Sequence, residues 1–205
     1  MRIVGARIVL RDEPKETDNE DYFRWRNLEE WEYYDEPWTP SQGQISWEEW
    51  ERRRRERRQK AQRKVQKPSA TRHNWQIDTA EGRHIGWILY YRLDEQAGHA
   101  TIGVCLPEED TWGQGYGTEA VRLLVNYMFQ EMGLAQVRTG TWTGNVRMMR
   151  VATKCGFREV NRYPHEARVT VRGEPLVMAE FALTRAEWLA RQESAASVSG
   201  IECHD

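Results

Sequence analysis

Two kinds of hydrophobic spacing run along this chain, and the switches between them mark its elements. Residues 7–11 (Arg-Ile-Val-Leu-Arg) predict a short strand. Residues 16–27 predict a helix with Tyr22, Phe23 and Trp25 on its apolar side. The stretch 33–44 holds Pro37, Pro40 and Gly43 and reads as loop. Ser46, with Glu49 three residues on, forms a capping box that opens a helix over 47–67, which Pro68 stops. The period then falls to two. Residues 73–78 and 83–93 predict strands. In the second, Ile85, Trp87, Leu89, Tyr91 and Leu93 make one apolar face, and Gly86, Ile88 and Tyr90 a largely apolar opposite face, the pattern of a central strand. A turn at 94–98 leads to a strand over 100–106, stopped by Pro107. Ala120, Val121, Leu124, Val125, Met128, Phe129 and Met132 share one helical face, and Gly133 ends that helix. A strand over 135–143 and a short helix over 145–154, closed by Gly156, come next. Two strands over 157–183, joined around Arg172-Gly173-Glu174-Pro175, follow. The pattern predicts one mixed-sheet α/β domain over 1–191, with a helical turn or two near 184–191 and a flexible tail over 192–205.

Composition narrows the class. At 205 residues the chain suits one domain with its own core. No apolar run reaches membrane-spanning length, and the charged opening predicts no signal peptide. Cys105, Cys155 and Cys203 have neither disulfide nor metal-ligand spacing, so a cytoplasmic location and no metal are expected. The net charge is −2, yet residues 51–67 carry ten Lys/Arg against two Glu, a local +8 that leaves −10 elsewhere. That basic run lacks interleaved aromatics. A solvated, salt-bridged helix face is favoured for it over an RNA or ribosomal surface.

The chemistry concentrates in Trp112-Gly113-Gln114-Gly115-Tyr116-Gly117-Thr118-Glu119, between a strand and the amphipathic helix. Alternate glycines permit backbone conformations in which successive N–H groups point into one concavity. The positive end of the following helix adds to that field, so a phosphate or diphosphate ligand is predicted. No Gly-Lys-Ser/Thr follows the loop, and several strands precede it. A nucleoside-triphosphate loop and a dinucleotide fold are both disfavoured.

The run from Pro107 through Leu124 resembles the acetyl-CoA-binding loop and helix of GNAT acetyltransferases. Asn145-Val146-Arg147-Met148 through Lys154-Cys155-Gly156-Phe157 is similar to that family's Asn-led helix ending in K-x-G-F. With Ile8–Arg11 and Trp25-Arg26-Asn27, the likeness leans to the branch of ribosomal-protein N-terminal acetyltransferases. It covers about residues 5–190. The resemblance implies a mostly antiparallel sheet splayed between two parallel strands, 100–106 and 135–143, and flanked by helices. It implies acetyl-CoA as co-substrate. Backbone groups of Val104, Cys105 and Leu106 would hold pantetheine. Trp112, Gly113, Gln114, Gly115, Tyr116, Gly117 and Thr118 would hold the diphosphate, and Asn145 would bond the pantetheine region. By analogy with the branch, a homodimer is expected.

Three positions depart from the family pattern. Trp112 stands where Gln or Arg is common, Met148 where Ser is common, and Ala152 where many members place a tyrosine acid. No catalytic acid or base carries over. Of the residues near the splayed strands, Tyr91, Cys105 and Trp142 are not natural bases, and His165 reads as a surface histidine. Cys105 reads as a packed strand cysteine rather than an acyl carrier. The acidic cluster Glu29, Glu30, Glu32, Asp35 and Glu36, set among Trp31, Tyr33, Tyr34 and Trp38, suits a cationic amine or an ordinary solvated helix end. Asp35 and Glu36 are the candidate acceptor contacts. The function expected is transfer of acetyl to a primary amine, a protein N-terminus or a small cation. A non-catalytic coenzyme A-binding sensor or scaffold is the alternative.

Overall fold

The computed structural model describes residues 1–63 and 73–199. Pro68, the last part of the basic run and residues 200–205 lie outside the described residues. The strands are β1 (Arg2–Val4), β2 (Ile8–Arg11), β3 (His73–Thr79), β4 (His84–Asp94), β5 (His99–Cys105), β6 (Gln136–Trp142), β7 (Arg158–Val169) and β8 (Pro175–Thr184). They form one sheet in the order β1-β2-β3-β4-β5-β6-β8-β7. Only β5 and β6 pair in parallel; the other neighbours are antiparallel. The helices are α1 (Asp18–Arg26), α2 (Glu29–Asp35), α3 (Trp47–Arg63), α4 (Tyr116–Gln130), α5 (Val146–Cys155) and α6 (Arg185–Ser199).

Cross-strand partners share a sheet face, and the two faces of β4 face different helices. Trp75, Ile88 and Val104 form one row by register. That row packs in the same core as Val121, Leu124 and Met128 of α4. Gln76, Trp87 and Cys105 form the opposite row. There Tyr22, Trp25 and Trp31 set their rings 5.5, 5.7 and 5.6 Å from Trp87. The double-sided apolar pattern of β4 therefore reflects two layers, α4 on one side and α1 with α2 on the other.

A buried ion network fixes α1 to the sheet. Arg11 is 4% exposed. Its Nε donates to Asp78 Oδ2 at 2.8 Å, and its Nη2 donates to Asp18 Oδ1 at 2.6 Å. Burial opposes the Arg11 charge, but its hydrogen bonds to Asp18 and Asp78 and their charges outweigh it and raise its pKa. Asp18, Asp21 and His84 place donor atoms within 4.8 Å of one another. Arg11, Arg24 and Gln76 already engage that cluster.

The pattern of spacing and the structure differ in three places. Residues 33–35 belong to α2 rather than to a loop, so the acidic cluster 29–35 is helical. Strand β1, only three residues long, had no alternation to reveal it. Helix α6 continues to Ser199, so the expected tail boundary at 192 falls inside a helix. Only the serine half of the expected capping box forms: Glu49 N–H donates to Ser46 Oγ at 3.2 Å. The Glu49 carboxylate turns to Arg52 and Arg53, and Arg54 pairs with Glu51, which neutralises part of the basic run.

Candidate active site

The site begins where β5 and β6 part. Their pairing covers His99↔Gln136, Ala100↔Val137 and Thr101↔Arg138, and no further pair follows. Thr139 Oγ1 donates to the Ile102 carbonyl at 3.1 Å, a side-chain bridge at the crotch of the fork. Beyond it β5 stays paired with β4 as far as Trp87↔Cys105. The Ile102 carbonyl turns to β6 and the Cys105 carbonyl to β4, so by alternation Val104 presents its backbone N–H and carbonyl toward the fork, able to pair with an extended ligand carrying amides.

At the mouth of the fork sits the glycine loop. The Trp112 Nε1 donates to the Leu106 carbonyl at 2.6 Å, which closes the turn out of β5. Glu108, in that turn, accepts from Trp25 Nε1 at 2.6 Å and from Arg24, tying the turn to α1. Gly113 and Gly115 take φ of 73° and 88°, left-handed values that aim consecutive amides the same way. Among the described residues, no protein acceptor meets the N–H groups of residues 113–118. Six adjacent N–H groups without a protein acceptor at the N-terminus of a 15-residue helix form an arrangement suited to an anion. Arg7 braces the loop from outside: Nη1 donates to the Gln114 carbonyl at 2.7 Å and Nε to Glu119 at 3.0 Å.

Helix α5 forms the opposite bank. Asn145 caps it by accepting from Met148 N–H at 3.1 Å, and its Nδ2 donates to the Tyr34 carbonyl at 3.3 Å. Gly156 ends the helix in the left-handed region at φ 93°. Ala152 is fully buried against the core and does not line the cleft.

One cleft joins these parts. It is lined by Val104, Cys105 and Leu106; by Trp112, Gly113, Gly115, Tyr116, Gly117 and Thr118; by Asn145 and Met148; and by Trp31, Tyr34 and Asp35 of α2. The structure thus gathers most of the residues singled out by the sequence. Gln114 is different: it does not line the cleft, its carbonyl accepts from Arg7, and its side chain donates to the Asp110 carbonyl. Glu36 does not line the cleft, and it accepts from Thr39 Oγ1 at 3.2 Å. His165 stacks on Trp38 at 4.2 Å, and Trp142 packs against Tyr33 at 5.5 Å; neither lines the cleft. Arg147, Arg150, Val151 and Lys154 also line it and were not singled out from the motifs. The signal was the spacing of the cations on the face of α5.

Two titratable groups, Asp35 and Cys105, line the same cleft. Asp35 reaches the cleft wall with neither hydrogen bond nor ion pair among the described residues. Although solvent reaches it from the cleft, protein crowds it on its other sides. Desolvation, then Glu36 and Glu32, raise its pKa. Cys105 is half-buried as a residue, with its thiol enclosed. Burial pushes that thiol well above the usual range, and the charge of Asp35 adds to the shift. A thiol held protonated is a poor nucleophile, which fits a packed strand cysteine.

A mixed sheet forked between its one parallel strand pair, with an amide nest at the fork's mouth, is the architecture expected of the GNAT fold. The family model for the acetyltransferase (GNAT) domain matches residues 7–158, and the chain belongs to that family of N-acetyltransferases, which use acetyl-CoA. The FsC-acetyl coenzyme A-N(2)-transacetylase of Aspergillus fumigatus is 34% identical over 123 residues, 57% of this chain and 52% of that protein. The chain spans about half the length of that relative. The human alpha/beta-tubulin-N-acetyltransferase 9 is 26% identical, over 94% of this chain and 89% of its own. Among solved structures, spermidine N-acetyltransferase from Vibrio cholerae, in complex with CoA and spermine, shares the fold. Its TM-score is 0.68 at 14% identity, over 90% of this chain and 99% of that one. Among the described residues no helix is long and apolar enough to cross a membrane.

Proposed function

We propose that this protein transfers acetyl from acetyl-CoA directly to a primary amine that reaches the site as a cation. The reading rests chiefly on the six free N–H groups of residues 113–118, set at the mouth of a cleft that runs along the free edge of β5. Diphosphate on those amides aims the pantetheine arm down the fork, where an amide can pair with the backbone of Val104. The thioester then lies near Cys105, on the face where Asp35 waits.

Asp35 has two roles in this reading. Its carboxylate attracts an ammonium group among the rings of Trp31 and Tyr34. It then takes the ammonium proton, directly or through water, so that the amine lone pair is free to attack the thioester carbonyl. The C–N bond forms, the C–S bond breaks, and the leaving thiolate takes a proton from solvent. An alkylammonium pKa is about 10 and an α-ammonium about 8, so an α-amine needs less assistance. A base with a raised pKa holds the proton more firmly than an ordinary carboxylate. Positioning in the fork and backbone donors near the thioester supply the rest of the acceleration.

Small polycations and protein N-termini both satisfy this chemistry. The names of the Vibrio and human proteins carry spermidine and tubulin, a small polycation and a protein. The likeness to the ribosomal-protein N-terminal acetyltransferase branch favours the second. Acetyl-CoA is incubated with spermidine, with an aminoglycoside and with peptides of varied N-terminus, and free thiol is followed. Thiol release with one class assigns the acceptor. Cofactor binding without release from any amine contradicts the proposal.

A further inference from the structure

Arg147 stands in the first turn of α5 with its guanidinium between two rings. The Cζ lies 3.8 Å from the Trp112 centroid and 4.0 Å from that of Tyr34. The cation therefore bridges the first residue of the glycine loop to the last turn of α2. Its Nη2 is enclosed and has no hydrogen-bond acceptor among the described residues. Glu30, a carboxylate that feels the Arg147 charge, is held instead by Arg172 Nη2 at 2.7 Å. A guanidinium carries five in-plane donors, and ring faces satisfy its charge but not those N–H groups. An enclosed, unpaired N–H is unfavourable until an acceptor arrives.

The setting says what that acceptor is. Arg147, Arg150 and Lys154 fall at i, i+3 and i+7, one stripe of α5, and all three line the cleft opposite the free amides of residues 113–118. The amides supply directional donors without full charge, and the stripe supplies the charge. We infer that Arg147 is a diphosphate-binding residue, the side-chain half of the anion site whose backbone half is the glycine loop. This rests on the proposed acetyl-CoA reading and adds to it a residue and a linkage. The guanidinium suits a forked contact to phosphate oxygens. The same group rests on Tyr34, the neighbour of Asp35, so the docked diphosphate also steadies the acceptor wall.

The test compares affinities for coenzyme A and for S-acetylpantetheine, which lacks the diphosphate. Wild-type protein and Arg147→Met are titrated with both by calorimetry. Methionine keeps an apolar stem between the two rings and removes the charge. The expected result is a 10- to 100-fold weaker affinity for coenzyme A, with S-acetylpantetheine affinity unchanged within about twofold. Arg147→Lys restores part of the coenzyme A affinity. Coenzyme A affinity equal to wild type in Arg147→Met, or an equal loss for both ligands, overturns the inference while the acetyl-CoA reading stands. Wild-type protein that fails to bind coenzyme A overturns that reading, and the inference falls with it. Unfolding midpoints of the variants, measured alongside, separate loss of fold from loss of contact.

Discussion

The Cys105 carbonyl oxygen passes so close to Gly86 that a Cβ built on Gly86 would lie 2.1 Å from it. Strand β4 is irregular at that point: Ile77 pairs with Gly86 and Asp78 with His84. The bulge and the missing side chain let the end of β5 settle where its free edge meets the fork. Gly86→Ala has to push Cys105 toward the fork or distort β4. A misplacement of about 1 Å costs about 100-fold in rate. Amine acetylation by Gly86→Ala is expected to fall by that order in kcat/KM, and the unfolding midpoint to drop clearly, because the added Cβ meets backbone at a φ of 155°. Unimpaired activity would mean that the end of β5 does not position the thioester.

Asp35 links activity and stability with opposite signs. Its folded pKa is raised, so the folded state holds the proton more tightly than the unfolded chain. Stability therefore declines as pH rises through the window from the ordinary carboxylate value of about 3.9 to the folded pKa, and the charged form is unfavourable above it. Because Asp35 is exposed, solvent screens much of this penalty, and Asp35→Asn is expected to unfold only slightly above wild type at pH 7. The same variant loses about 100-fold or more in kcat/KM. In wild type the acid limb of the pH–rate profile sits above the usual carboxylate range, and in Asp35→Asn that limb disappears.

Cys105 separates direct transfer from an acyl-enzyme route. Its thiol, kept protonated by burial and by Asp35, is not the attacking group. Cys105→Ser is expected to keep activity within about fivefold, since one buried sulfur is exchanged for a smaller, more polar atom. Mass spectrometry of wild type quenched with acetyl-CoA and no amine should find no acetylated Cys105.

The network beneath α1 sets acid stability. Burial alone would raise the Asp78 pKa, but hydrogen bonds from Arg11 and Lys15 prevail and lower it. A lowered folded pKa contributes stability that is complete above the unfolded value of about 3.9 and lost as pH falls below it through the folded value. Asp78→Asn leaves Arg11 with Asp18 but without its second carboxylate. The expected cost is about 3 kcal/mol at pH 7, measured by urea denaturation. The difference from wild type narrows as pH falls below 4.

How much was legible depended on whether the determinant was local. The glycine loop, helix α4 and the Asn145–Gly156 segment could be read because backbone geometry at Gly113, Gly115 and Gly156 demands glycine, and because the α4 stripe is periodic. Helix α2 was hidden: the run Glu29–Asp35 has no clean period, and Pro37 close behind it signals loop. The Arg11–Asp18–Asp78 network joins residues up to 67 positions apart, and no spacing rule reports such a pairing. The site divided in the same way. The anion loop was expected from its glycines, and Val104, Cys105, Leu106 and Asn145 from the family resemblance, whereas Arg147 acquires its place only when α5, α2 and the loop meet. Asp35 and Glu36 looked alike in sequence, and the end of α2 turns one toward the cleft and the other toward Thr39.

The account stands on the contact between the glycine loop and a diphosphate, and a crystal structure of the protein with coenzyme A tests it most directly. Diphosphate oxygens about 3 Å from backbone nitrogens of residues 113–118, with the pantetheine amides along Gly103–Cys105, are the result expected. A diphosphate bound elsewhere, or a fork filled by the protein's own side chains, would contradict it.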